Sequence, residues 1–189
     1  MKKRARYFPS YKKRQEKGAI AIEFAALFLL FFTVLYAIIS FTLPMLLTFT
    51  FKHLSAEGAR AALRVDPSLN EQAYIELVSQ QVTQTITSSW LPDKWYDGNC
   101  QNLNHTDLPW QQLPAQNGYP SFGYLAKEVI TSNHSRYLLL VCIQRKYNRT
   151  GKKGERAIIP IIQIGEHSVS PFSGGDGNRI LKGHALIQL

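Results

Sequence analysis

Residues 17–24 read Lys17-Gly18-Ala19-Ile20-Ala21-Ile22-Glu23-Phe24, and from Phe24 to Phe51 the chain runs for 28 positions without an Asp, Glu, Lys, Arg or His. Phe, Leu, Ile and Ala dominate the run. A helix rises ~1.5 Å per residue, so about 20 apolar residues cross the hydrocarbon core of a bilayer. The stretch is long enough to span with some tilt. A secretory signal has an apolar region of only about 7–15 residues followed by a small-residue cleavage site, which fits poorly. A buried core helix is rarely apolar on every face for such a length.

The flanks orient the span. Residues 1–17 hold eight Lys or Arg side chains and one acid, Glu16, a net +7 of the chain's +9. Just past the run stand only Lys52 and His53. Positive charge is retained in the cytoplasm, so the N-terminus stays inside and residues from about 52 onward cross. The remaining 172 residues carry only +2, which argues against nucleic-acid binding, where basicity is spread over a folded face. The reading is of a basic cytoplasmic leader (1–18), a transmembrane helix (19–50) and an extracytoplasmic head (51–189), with helix 51–65 continuing from the membrane.

Glu23 sits five residues past Gly18, at the entrance to a segment that otherwise excludes charge. A carboxylate at membrane depth costs a few kcal/mol, so it snorkels or has a partner. A second block, Ser55-Ala56-Glu57-Gly58-Ala59-Arg60-Ala61-Ala62, follows the run. The first block resembles the processing site of type IV pilin-like precursors, a glycine followed five residues later by Glu and an aromatic. With Glu57, Gly58, Ala59 and Arg60 it resembles more narrowly the TadE-like pseudopilins of the Tad (Flp) tight-adherence pilus. The resemblance covers about residues 15–65.

That resemblance implies cleavage by a prepilin peptidase after Gly18, with Ala19 as the new N-terminus and Glu23 as the fifth mature residue, ahead of Phe24. It also implies as partners the peptidase, the major Flp pilin, other minor pseudopilins and the inner-membrane platform. Gly18 has no side chain, so extended backbone there can enter a narrow cleft. Glu23 can pair with the new amine at low dielectric, its own or a neighbour's. The plainer alternative makes Gly18 a helix-boundary glycine and Glu23 a headgroup-layer residue. Pilin-type spans often carry a mid-span proline, whereas Pro44 lies near the outer end here, where it either bends the exit or is tolerated.

The head reads as α+β, a small pilin-like domain with an antiparallel hairpin or sheet. Asp66-Pro67 stops the first helix. A second helix is expected over about 69–89, with Ser68 and Glu71 as a capping box and a stripe of Tyr74, Val78, Val82, Ile86 and Trp90. Residues 91–120, punctuated by Pro and Gly, read as a long packed loop. A short helix is possible over 121–131. Residues 136–147 and 157–164 are rich in β-formers and read as a hairpin around a polar turn, with Pro160 at an edge or bulge. Residues 173–178 form another turn, and 184–189 can add a last strand.

Cys100 and Cys142, the two cysteines, both fall outside the cytoplasm on this topology, where oxidising conditions favour pairing; the alternative is a buried free thiol at Cys142. Metal ligation by Cys100, His105, His134 and Cys142 lacks any CxxC or HxxxH spacing, so no metal site and no cofactor is expected. Asn104, Asn133 and Asn148 stand in N-x-[ST] sequons, which in a bacterial pilin-like chain are chance. Nucleophile elbow, Walker loop and dinucleotide fingerprint are missing, so no enzyme is expected. Two readings remain: a processed, inner-membrane minor pseudopilin with a periplasmic head, or an uncleaved, signal-anchored periplasmic binding or enzymatic domain.

Overall fold

A computed structural model describes residues 17–100, 108–131, 134–148, 158, 162–164, 167–169 and 180–189. Helix α1 (Lys17–Ala62) contains the whole uncharged run in 46 residues, with Pro44 inside it. Proline removes one N–H from the ladder. The helix nonetheless continues, and the Thr48 hydroxyl donates to the Pro44 carbonyl at 2.9 Å. α1 closes through tighter i→i−3 bonds, from the N–H groups of Leu63, Arg64 and Val65 to the carbonyls of Arg60, Ala61 and Ala62 at 3.1–3.2 Å. These satisfy carbonyls that the helix end would leave without donors. The helix stops at Ala62, three residues before the expected end at 65.

Helix α2 (Glu71–Thr87) is capped by Asn70, whose side chain accepts from the Ala73 N–H at 2.8 Å. The expected Ser68–Glu71 box is thus corrected. Ser68 is taken into an Asx turn, its N–H donating to the Asp66 carboxylate at 2.9 Å, and Asn70 stands at the helix entry. That turn holds the exposed Asp66 carboxyl below its usual range. The stripe of Tyr74, Val78, Val82 and Ile86 is buried as read, while Trp90, beyond the helix end, is exposed.

The strands are β1 (Gln111–Gln112), β2 (Gly123–Thr131), β3 (His134–Lys146), β4 (Ile162–Ile164), β5 (His167–Val169) and β6 (Ile180–Gln188). One antiparallel sheet has the order β1-β2-β3-β6, and β4 and β5 pair separately. Two expectations change. Residues 123–131 form a strand, not a helix: Leu125-Ala126-Lys127-Glu128 are good helix formers, but pairing along β3 from Gly123–Val141 to Glu128–Arg136 overrides local propensity. The segment around 136–147 pairs with β2 and with the C-terminal strand, whose Ile180 lies opposite Lys146. Ile162–Ile164 pairs instead with His167–Val169. Pro160 and the turn at 173–178 lie outside the described residues. The last strand begins at Ile180, four residues before the expected start at 184.

The chain divides into two compact units, Met1–Ile39 and Ser40–Leu189. The second begins eleven residues before the boundary read from charge, because charge marks the end of the apolar run and packing does not. Its core takes Leu47, Phe51, Leu54, Ala59 and Ala62 from α1, the α2 stripe, and Leu139, Val141 and Ile143 from β3.

Candidate functional site

The first block occupies the opening turns of α1, where Gly18 and Ala19 are helical. Glu23 and Phe24 are exposed, as is the helix surface from Ile20 to Leu35. Phe24, Phe28 and Phe32 recur at i, i+4, with ring centroids 6.1 and 4.4 Å apart, and Phe31 meets Phe32 edge-on at 5.5 Å. Such spacing stacks side chains along one ridge of a helix. α1 is long and apolar enough to cross a membrane, and none of its most apolar window is buried. A single N-terminal helix of this kind fits a membrane anchor.

The second block divides its residues between surface and core. Arg60 Nη1 donates to Glu57 Oε1 at 2.9 Å, an i, i+3 pair on the solvent side. Exposed pairs of this kind stabilise by only ~0.3–0.5 kcal/mol. Gly58 and Ala59 point the other way and are buried. A Cβ at Gly58 would lie 3.5–3.7 Å from Val82, Val141 and Ile86, so this turn of α1 sits against both α2 and β3. Glu23 and the second block belong to different compact units, and the ion pair is local to the latter.

One turn earlier, the buried Ser55 hydroxyl donates to the Gly183 carbonyl at 3.0 Å. A Cβ at Gly183 would come within 2.3 Å of the Phe51 carbonyl carbon and the Lys52 nitrogen, so helix backbone lies directly on strand backbone. Sequence reasoning missed this contact. An isolated glycine inside a strand pattern is its signal, since it marks a close backbone approach.

Cys100 and Cys142 are joined by a disulfide with Cα atoms 6.2 Å apart. The preceding segment brings Cys100 there. Asp97 and Gln144 exchange backbone bonds at 2.7 and 2.8 Å, Asn99 N–H donates to Ser121 O at 2.9 Å, and Gln144 Nε2 donates to Asn99 O at 3.1 Å. The Tyr124 hydroxyl then donates to Cys100 O at 2.9 Å. Asn99 adopts a positive φ of 42°, a conformation that asparagine tolerates better than most residues.

Polar groups gather where this segment meets the end of β3. The Asp93 carboxylate accepts from the Tyr96 hydroxyl at 3.0 Å and the Tyr119 hydroxyl at 3.4 Å. Burial, then the bond to Asp93, raises the Tyr96 phenol. Burial pushes the Asp97 carboxyl up, against the Gly98 N–H and the charge of Lys146. Burial lowers the Arg145 guanidinium, whose Nη1 donates to Lys94 O at 2.7 Å. These contacts fasten loop to strand.

Among the described residues, no group of three His, Cys, Asp or Glu is placed to hold a metal. His105, Asn104 and Asn133 lie outside those residues. Cys100 and Cys142 are committed to each other.

Residues 18–60 match the family model of TadE-like proteins. The match covers α1 from the glycine of the first block to the arginine of the second, and it suggests a Tad pilus-associated protein. No curated protein and no solved structure matches the chain.

Proposed function

We propose that this chain is a minor pseudopilin of the Tad (Flp) pilus, cut after Gly18 by a prepilin peptidase and held in the inner membrane with its head in the periplasm. The observation that carries the reading is the TadE-like match over a helix that is exposed and apolar in its first part and built into a folded head in its second. A disulfide in the head suits an oxidising compartment, in agreement with the charge-based orientation. Its role is structural, without catalysis. Because Gly18 and Ala19 are helical, the peptidase requires the first turn of α1 to open before the bond is presented in extended form. Cleavage removes the +7 leader and frees the Ala19 amine, four positions from Glu23. Its partners are then the peptidase, the major Flp pilin, companion minor pseudopilins and the inner-membrane platform, and its output is adherence.

The test is the intact mass and N-terminal sequence of membrane-extracted protein from the native host, with and without the peptidase. The expected N-terminus is Ala19 with the peptidase and Met1 without it. A chain that starts at Met1 in both would overturn the processing step. Glu23→Ala is expected to impair processing or piliation while leaving membrane insertion intact, and normal processing and piliation in that variant would remove the role assigned to Glu23.

A further inference from the structure

Within the unit Ser40–Leu189, packing orders the strand ends along α1. Gly183 lies at the level of Phe51 and Lys52, and its carbonyl, on the side of residue 184, is reached by Ser55 one turn further along α1. Val141, opposite Ala185, lies beside Gly58. β6 therefore climbs α1 in the same direction, and β3 descends it. The start of β6 and the end of β3, where Ile180 pairs with Lys146, fall toward the apolar end of this part of the helix. Lys94 joins them through the bond from Arg145 to its carbonyl, with Trp90 four residues before it.

Three features coincide at this end. The uncharged run continues through Phe51, inside the head, and its outward side chains Met45, Leu46 and Phe49 are more than half exposed. Trp90 is 68% exposed and Ile180 44%. Lys146, paired with Ile180, is exposed, and so is Lys94. Among the described residues, the acids at this end are Asp93, whose carboxylate accepts from two tyrosines, and Asp97, which feels the charge of Lys146. An exposed tryptophan next to apolar and lysine side chains suits the layer between hydrocarbon and water, where the indole sits at headgroup depth and lysines reach phosphate.

We infer that this end of the head, bearing Trp90, Ile180, Lys94 and Lys146, rests on the anionic phospholipid surface that α1 enters, so the head is seated on the bilayer. The inference rests on reading α1 as a membrane anchor, and the experiment separates the two. Full-length protein carrying a single tryptophan, the other two replaced by Phe, is reconstituted in phosphatidylcholine–phosphatidylglycerol vesicles. Flotation reports anchoring, and lipids brominated near the carbonyl end of the acyl chain report contact. Trp90 is expected to lose most of its emission and Trp110 little. Trp110 precedes β1, whose partner Leu125 pairs with Leu139, about 23 Å along β3 from Lys146 at ~3.3 Å per residue. Trp90→Phe alone is expected to abolish most of the quenching of the natural chain, which controls for misfolding of the double variants. Lys94→Glu with Lys146→Glu is expected to reduce Trp90 quenching on these vesicles.

Vesicles that float with Trp90 unquenched overturn the seating and leave the anchor standing, and the face is then free for a protein partner. Protein that does not float overturns both. Quenching unchanged by the double charge reversal overturns the assignment of the lysines to an anionic surface.

Discussion

At Gly183 a β-carbon would lie 2.3 Å from backbone atoms of α1, whereas at Gly58 it would lie 3.5–3.7 Å from three side chains. The first cannot be accommodated without moving helix or strand, and the second is ordinary contact. Gly183→Ala is therefore expected to destabilise the full-length protein by about 1–3 kcal/mol, as overpacked cores do. Gly58→Ala is expected to be neutral or to stabilise by up to about 1 kcal/mol, because alanine is the better helix residue. Thermal unfolding in detergent compares them directly. A pilus defect in Gly58→Ala without loss of stability would show that Gly58 serves assembly and not the head's packing. Ser55 deepens the contrast: Ser55→Ala leaves the buried Gly183 carbonyl without its side-chain donor, a loss expected to cost about 1–3 kcal/mol.

Among the elements, α2 offers the cleanest test. Asn70 caps it through the Ala73 N–H, so Asn70→Ala is expected to cost about 1 kcal/mol. Ser68→Ala is expected to cost less, since the Ser68 backbone N–H keeps its bond to Asp66. A larger loss at Ser68 in denaturant unfolding would restore the capping box. What the sequence made legible follows from how local each signal is. α1 announces itself by excluding charge over 28 positions, and α2 by a stripe at every fourth residue. β2 was hidden because its Leu-Ala-Lys-Glu core favours a helix in isolation, and only pairing with β3 decides otherwise. The partner of β3 was equally hidden, since β6 is supplied from 34 residues further on. The disulfide was legible because two cysteines allow one pairing. The seat of α1 on Gly183 was not, because a contact between two backbones leaves almost no compositional trace.

For the molecule as a whole, the disulfide is the strongest long-range constraint described. It joins positions 42 residues apart and ties the loop after α2 to the middle of β3. In the chain-entropy account its closure is worth about 4 kcal/mol, so reduction, or Cys100→Ser with Cys142→Ser, is expected to lower the unfolding free energy by that amount and the unfolding midpoint with it. Equal midpoints with and without reductant would mean that the hydrogen bonds around Asp97, Asn99 and Tyr124 already hold the loop. The placement of Leu47 and Phe51 also bears on how this protein can be divided. Solubility invites a cut at Lys52, the first charged residue after the run, yet such a fragment would be released without Leu47 and Phe51, two walls of its own interior. The greasy stretch and the folded body overlap from Ser40 to Phe51. Any soluble version must carry that overlap with it, apolar exterior included, and will need a detergent or a partner to cover that exterior.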